Sequence, residues 1–286
     1  MSELVWMDGR IVPATEAMVP VSDRSFLYGD GLFESLPWNS GRLFRWRAHW
    51  DRLKAGAAFL NIRIPADEAE VRAGIRAITT PLTTAQATVR LHLSRGVGPR
   101  GYSPRGAETP RLILTVHPAP PMPPAGWPAI RLKTCRAFAV AAGDPLAAHK
   151  SANKLLNVLA RAEAEADGFD DALLLNTDGV VTESSSGNVF WWEAGHLHTP
   201  PLSAGALGGV TRGAVIDSAH DLGWSVTETA APPARLSASG GLFLTFSTRG
   251  LVPVEALDGH PVPTEPRQSP LQEAFLRRCE QEWELI

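Results

Sequence analysis

Apolar residues recur along this chain with two periods, and the alternation between them outlines the elements. Residues 3–21, ELVWMDGRIVPATEAMVPV, alternate apolar and polar positions on either side of a turn at Asp8-Gly9, the pattern of a β-hairpin. A second strand pair, LFESLPW and RLFRW, is joined across Asn39-Ser40-Gly41, and glycines flanking Asp30 mark a tight turn just before it. In residues 48–64 the period becomes helical, with Trp50, Leu53, Ala57 and Leu60 on one face and Arg52 off it. Residues 65–82 predict a second amphipathic helix, ATVRLHLSRG and RLILTVHP predict strands, and the Gly- and Pro-rich VGPRGYSPRGAETP between them predicts a surface loop.

The segment PAPPMPPAGWP, residues 118–128, reads as a stiff linker, which places a smaller domain at 1–117 and a larger one at 129–286. The larger domain opens with the strand AIRLKTCRAFAV. A helix over residues 151–168 follows, with Leu155, Leu159, Ala162 and Ala166 as its apolar face and Gly168 as its stop. ALLLN, VVTESSSGNVFWW and HLHTP then predict successive antiparallel strands with short hairpin loops. A helix carrying Val215, Ile216 and Ala219, two further strand segments and a C-terminal helix from SPLQEAFLRRCEQEWELI complete a two-domain α+β chain.

Composition narrows the classes. At 286 residues, with 44% hydrophobic and 20% charged positions, the chain can bury a sizeable core. A net charge of -3 gives no electrostatic reason to expect nucleic acid or an anionic membrane as partner. Cys135 and Cys279 lack CxxC or Cys/His spacing, so no metal site is expected and a reduced, cytoplasmic setting is. No apolar run reaches transmembrane length, and the first ten residues lack the order of a signal peptide.

Chemistry concentrates between His149 and Arg212. Lys150 is placed just before, or in the first turn of, the predicted helix, where the positive helix end favours the neutral amine that nucleophilic and Schiff-base chemistry requires. Glu183 falls where a strand gives way to SSSG. Gly208 and Gly209 lead into Val210 and Thr211 at a helix start, whose unpaired amides suit an anion. Ser247 and Thr248 occupy a polar loop between apolar runs. Arg52 and Arg100 carry planar forks that match phosphate or carboxylate, and Tyr102 and Arg105 share the loop of Arg100.

The order of these segments resembles the class-IV aminotransferase family, the fold-type IV enzymes of pyridoxal 5'-phosphate (PLP). It runs SDRSFLYGDGLFE, HWDRL, SRGVGPRGYSP, HKSANKLLNVLARAEA, GFDDALLLNTDGVVTESSSGNVFWW, LHTPPLSAGALGGVTR and LFLTFSTRGLVPV, and covers nearly the whole chain. The resemblance implies PLP in a cleft between the two domains and a homodimer whose partner subunit closes the site. It assigns Lys150 as the PLP-linked lysine and Glu183 as the carboxylate at the pyridine nitrogen. Arg52, Val210, Thr211 and Ser247 look like the phosphate cup, and Phe33, Arg100, Tyr102 and Thr248 the substrate side. Lys154, one helical turn on, does not match the family's lysine. The implied reaction is transfer of an amino group between an amino acid or primary amine and a 2-oxo acid. The alternative is 4-amino-4-deoxychorismate lyase, to which GVGPRGYSP is similar. KSANKLL is closer to D-amino acid aminotransferases, Phe246 stands where the lyases carry asparagine, and Tyr102 replaces the histidine of the D-amino acid enzymes' carboxylate trap. A non-catalytic binding protein would have no reason to keep Lys150, Glu183 and Arg52 together.

Overall fold

A computed structural model describes residues 3–121, 123 and 126–286. The expected linker at 118–128 therefore falls partly outside the described residues. The chain forms two compact units. Unit 1 comprises residues 1–121, 149–154 and 282–286, and unit 2 comprises 122–148 and 155–281.

Unit 1 opens with β1 (Leu4–Met7) and β2 (Arg10–Pro13), then α1 (Arg24–Tyr28), β3 (Gly31–Asn39) and β4 (Arg42–Phe44). It continues with α2 (Trp46–Phe59), α3 (Glu68–Thr79), β5 (Gln86–Ser94) and β6 (Arg111–Pro118). Unit 2 contains β7 (Ile130–Val140), α4 (Leu155–Ala166), β8 (Asp171–Asn176), β9 (Val181–Ser184), β10 (Asn188–Glu193) and β11 (His196–Thr199). There follow α5 (Val210–Asp221), β12 (Val226–Glu228), α6 (Pro233–Ser237), β13 (Gly241–Phe246), β14 (Gly250–Leu257), β15 (His260–Pro261) and α7 (Gln268–Gln281). The last strand, β16 (Trp283–Leu285), returns to unit 1.

The unit 1 sheet runs β16-β4-β3-β5-β6-β1-β2, every neighbouring pair antiparallel. Alternation along β3 and β5 decides its two faces. Leu32, Glu34, Leu36 and Trp38, with Ala87, Val89, Leu91 and Leu93, are buried, and the apolar ones pack with Trp50 and Leu53 of α2 and Val71, Ile75 and Ile78 of α3. Each fully buried Leu or Ile of this kind contributes roughly 1.5–3 kcal/mol. Phe33, Ser35, Arg90 and His92 fall on the other face and are only partly buried. α3 starts at a capping box in which Asp67 accepts from the Glu70 amide and Glu70 accepts from the Asp67 amide.

The unit 2 sheet runs β12-β11-β10-β13-β14-β7-β8-β9, with β15 beside β14, and it mixes antiparallel pairs with parallel ones at β11–β12, β14–β7 and β7–β8. The expectation of successive hairpins from β8 to β11 is corrected at one step. β9 pairs with β8 and β10 pairs with β11 and β13, so SSSG turns the chain away instead of closing a hairpin.

Two further expectations change. α4 buries Ala160 and Ala164, not the stripe of Leu155, Leu159, Ala162 and Ala166, and Leu155 and Val158 are 64% and 59% exposed. The small side chains let α4 approach β7 and β8, where Cys135, Ala172 and Leu174 complete the cluster. The C-terminal helix stops at Gln281, because Trp283, Glu284 and Leu285 pair with Phe44, Leu43 and Arg42 as β16.

Candidate active site

Lys150 is not at a helix terminus. α4 begins at Leu155, and a helix dipole fades within its first turn, so the expected effect of a helix end on this amine does not arise. The segment His149–Lys154 instead runs along β3. The Phe33 amide donates to the Lys150 carbonyl at 3.0 Å, the Ala152 amide donates to the Gly31 carbonyl at 2.8 Å, and Leu32 and Ser151 form a β-bridge. Gly29, with φ 69°, ends α1 and leaves room for Asn153, whose Cα would lie 3.0 Å from any added Cβ. The backbone of Lys150 is thus registered against the strand that carries Phe33, and its Nζ lies 4.6 Å from the Phe33 ring centroid.

The same ring has a second cation. The Arg90 guanidinium stands 4.1 Å from the Phe33 centroid, half-buried, and no carboxylate of the described residues pairs with it. Burial lowers its pKa. Beside it, His92 shares a 2.8 Å hydrogen bond between its Nε2 and Ser25 Oγ. The sequence reading named neither Arg90 nor His92, although they occupy the polar positions of the alternating run TVRLHLS.

On the buried face, Glu34 is 1% exposed and accepts three hydrogen bonds: Arg52 Nε at 2.7 Å, Arg52 Nη2 at 2.6 Å and His49 Nδ1 at 2.7 Å. Burial alone would raise its pKa, but Arg52 and His49 outweigh it and bring the carboxyl down to about 2. The His49 pKa is lowered, first by burial and then by the charges of Arg52 and Lys150, against the pull of Glu34. Arg52 was legible as an arginine off the apolar stripe of its helix. Glu34 and His49 were not singled out, though the buried phase of β3 and the i, i+3 spacing of His49 and Arg52 placed them.

In unit 2, Glu183 is the third residue of β9, and its Oε2 accepts from the Leu207 amide at 3.1 Å and Asn188 Nδ2 at 3.4 Å. Asn188 Nδ2 also donates to the Leu207 carbonyl at 2.7 Å. Leu207 leads into Gly208 and Gly209, and Gly209 is the N-cap of α5 with no side-chain cap. An added Cβ at Gly209 would lie 2.0 Å from Asn188 Oδ1, so it would force the side chain that orients Glu183 to shift. Val210 and Thr211 are buried in the first turn of α5, as expected. Ser247 and Thr248 sit in the turn between β13 and β14, Ser247 partly buried and Thr248 exposed.

Arg100 and Tyr102 lie on the loop between β5 and β6 of unit 1. Their loop is held by its backbone: Arg24 donates to the Gly101, Tyr102 and Ser103 carbonyls, and Arg24 and Arg95 both pair with Asp30 at 2.8 Å. The Arg100 side chain is exposed, and Tyr102 is 88% exposed, edge-on to Tyr28. No helix among the described residues is long and apolar enough to cross a membrane.

Two layered units, a lysine registered against a strand and a carboxylate oriented beside a glycine-capped helix define a scaffold that can be matched as a whole. The family model for class IV amino-transferases matches residues 31–257, and the chain belongs to that family. It is 35% identical, over 89% of this chain and 88% of the relative, to a Methanocaldococcus jannaschii protein that carries the name of a branched-chain-amino-acid aminotransferase. It is 32% identical to the aminodeoxychorismate lyase of Vibrio harveyi, over 89% of this chain and 91% of that one. Among solved structures, the branched-chain aminotransferase of Thermoproteus uzoniensis superposes with a TM-score of 0.90 at 27% identity, covering 99% of this chain and 96% of that one.

Proposed function

We propose that this chain is a PLP-dependent aminotransferase that moves an amino group between an amino acid or primary amine and a 2-oxo acid. The observation that carries the reading is the registration of Lys150 against β3, which holds one amine beside Phe33 and Arg90 by backbone pairing. The donor set suits the cofactor. α5 offers first-turn amides behind a glycine that supplies no cap, which suits a phosphate, and a cap residue with a Cβ would collide with Asn188. PLP, when bound, supplies an electron sink for the carbon that loses its proton.

In this reading Lys150 carries the cofactor and moves the proton at the reacting carbon. Glu183, aimed by Leu207 and Asn188, faces the pyridine nitrogen. Val210, Thr211 and Ser247 hold the phosphate, and Arg52, fixed by Glu34, adds positive charge. Phe33 and Thr248 shape the substrate side. Arg90 is a nearer receptor for the substrate carboxylate than Arg100 and Tyr102, because it shares the Phe33 ring with Lys150. A homodimer in the cytoplasm belongs to the same reading, supported by the exposed apolar residues Met18, Val21, Phe26 and Leu27 in unit 1. A second reading, 4-amino-4-deoxychorismate lyase, is supported by the likeness to the Vibrio harveyi enzyme.

The test is to mix the yellow, cofactor-loaded protein separately with D-alanine, L-leucine, (R)-1-phenylethylamine and 4-amino-4-deoxychorismate. Amino transfer to a 2-oxo acid supports the first reading, and pyruvate release from the last compound alone supports the second. Lys150→Ala is expected to lose the colour of the lysine-linked cofactor and all turnover, whereas Lys154→Ala keeps both. A Lys150→Ala protein with a borohydride-reducible lysine adduct would overturn the assignment.

A further inference from the structure

The loop between β5 and β6 borders a cavity of about 370 Å³ within unit 1, which has no part in the reading above. It is lined by Leu60, Asn61 and Arg63, which follow α2, and by Arg105 and Glu108, which precede β6. Arg95, just past the end of β5, joins them. Local sequence explains both walls. Asn61, at φ 52°, takes the left-handed turn that ends α2, and the Ile62 amide donates back to the Ala57 carbonyl at 2.8 Å. Ile62 is buried, and Arg63 after it is exposed. On the other wall the Ala107 amide donates to the Pro104 carbonyl at 3.2 Å, and Gly106, at φ 80°, lies so near Pro99 that an added Cβ would be 3.2 Å from its ring. Arg24 holds the residues before it through the Gly101, Tyr102 and Ser103 carbonyls. Two braced turns leave little ordering for a ligand to impose.

The charges here do not balance. Arg95 donates from Nε to Asp30 at 2.8 Å, from Nη2 to the Leu60 carbonyl at 2.9 Å and from Nη1 to the Asn61 carbonyl at 3.2 Å. Each of its terminal nitrogens keeps a second N–H. Asp30 is shared with Arg24. Arg63 and Arg105 form no ion pair with a carboxylate of the described residues, and of the residues that line the cavity Glu108 alone is acidic. Four guanidiniums thus stand against two carboxylates, a surplus of two positive charges. Three of them come from three separate segments of chain. A carboxylate presents its oxygens in one plane, whereas a phosphate presents them tetrahedrally and meets donors that arrive from different directions.

We infer that this cavity binds a phosphate group, free or as the monoester of a small metabolite, between Arg63, Arg95 and Arg105. The bound anion spans the α2–α3 connection and the β5–β6 loop, so it fastens the loop that carries Arg100 and Tyr102. The site shares no residue with the phosphate cup proposed at α5, and it does not depend on the aminotransferase reading.

The experiment is calorimetric titration of protein saturated with PLP and freed of excess cofactor, so that the cup is filled. Inorganic phosphate, glycerol 3-phosphate and malonate are added in separate runs at neutral pH. One site per chain is expected for both phosphates, with malonate about tenfold weaker. Tighter binding of glycerol 3-phosphate marks a monoester as the ligand, and tighter binding of phosphate marks the free ion. Arg63→Gln and Arg105→Gln, both at exposed positions, should each weaken phosphate binding about tenfold, the scale of one charge-assisted hydrogen bond. Arg136→Gln, at an exposed position of β7, should leave it unchanged. Trypsin supplies an independent reading: phosphate should slow cleavage after Arg105 in wild type and have no such effect in Arg63→Gln. No binding to wild type, equal affinities in wild type and both variants, or malonate bound as tightly as phosphate each overturns the inference. A protein that binds phosphate through Arg63 and Arg105 and transfers no amino group overturns the reading above and supports this one.

Discussion

Glu34 shows what a single buried carboxylate adds to this chain. Its pKa falls from 4.5 to about 2, and its stabilising contribution is present above pH 4.5 and lost as the pH falls toward 2. That interval corresponds to roughly 3 kcal/mol. His49, held neutral by burial, acts in the same direction, since protonating it below about pH 6.5 favours the unfolded chain. Wild type is therefore expected to lose stability progressively from pH 6.5 downward. Urea unfolding of Glu34→Gln should show a loss of roughly 3 kcal/mol at pH 7, as for other broken buried pairs, and a shallower slope below pH 4.5. An acid limb identical to wild type would show that the Glu34 charge is unimportant to folding. A second comparison belongs to the arginines. Arg90→Ala should lower kcat/KM for amino acids by ~10-fold to 150-fold while sparing amine donors, and Arg100→Ala should do so only if the exposed loop contacts substrate. Equal losses for amino acids and amines in Arg90→Ala would remove it as a carboxylate receptor. At this scale the sequence singled out Lys150, Glu183 and Arg52 as candidates through residue type and motif order. It did not expose Arg90 or His92, because a polar residue in an alternating strand looks solvated until the sheet shows which side chain lies across from it.

Among the elements, α5 was read most fully. Its glycines and first-turn residues fall at its start and Val215 and Ala219 are buried, while Ile216, expected beside them, is only partly buried. What the sequence could not supply was the reason for Gly209, which is the Asn188 side chain twenty-one residues earlier. Gly209→Ala keeps an allowed backbone, φ -68°, so its effect should be local: displacement of Asn188 and release of Glu183. PLP dissociation measured by absorbance is expected to be about tenfold more favourable in this variant, or ~1.4 kcal/mol, with thermal stability little changed. Unaltered cofactor affinity would separate Gly209 from the site. α4 shows the opposite outcome. Helical periodicity offered two neighbouring stripes, and the chain buried the alanines because contact with β7 and β8 rewards close approach over side-chain volume.

The whole molecule departs most from its sequence reading in connectivity. A linker near residue 120 suggested one crossing, but unit 1 also recruits residues 149–154 and 282–286. Hydrophobic pattern cannot announce such returns, since a three-residue strand such as Trp283–Leu285 has no period to read. Its contribution is measurable. Ile286 is buried in the unit 1 core, Trp283 meets Phe44 edge-on at 5.8 Å, and Arg45 pairs with Glu282 at 2.5 Å. Ile286→Ala should lower the free energy of unfolding by about 2 to 5 kcal/mol, as read from denaturant midpoints. A change below 0.5 kcal/mol would show that this end of the chain only rests on the sheet.

The position of β16 also bears on how the protein is made. β4 emerges from a ribosome early, but the strand that pairs with its outer edge lies roughly 240 residues later, some 12 to 48 seconds at 5–20 residues per second. Throughout that interval Leu43 and Phe44 sit on an open β-edge, the kind of surface that pairs with other nascent chains on the same message. Crowded polysomes are thus where this chain depends most on chaperone cover, and the emergence of β16 is what closes that edge.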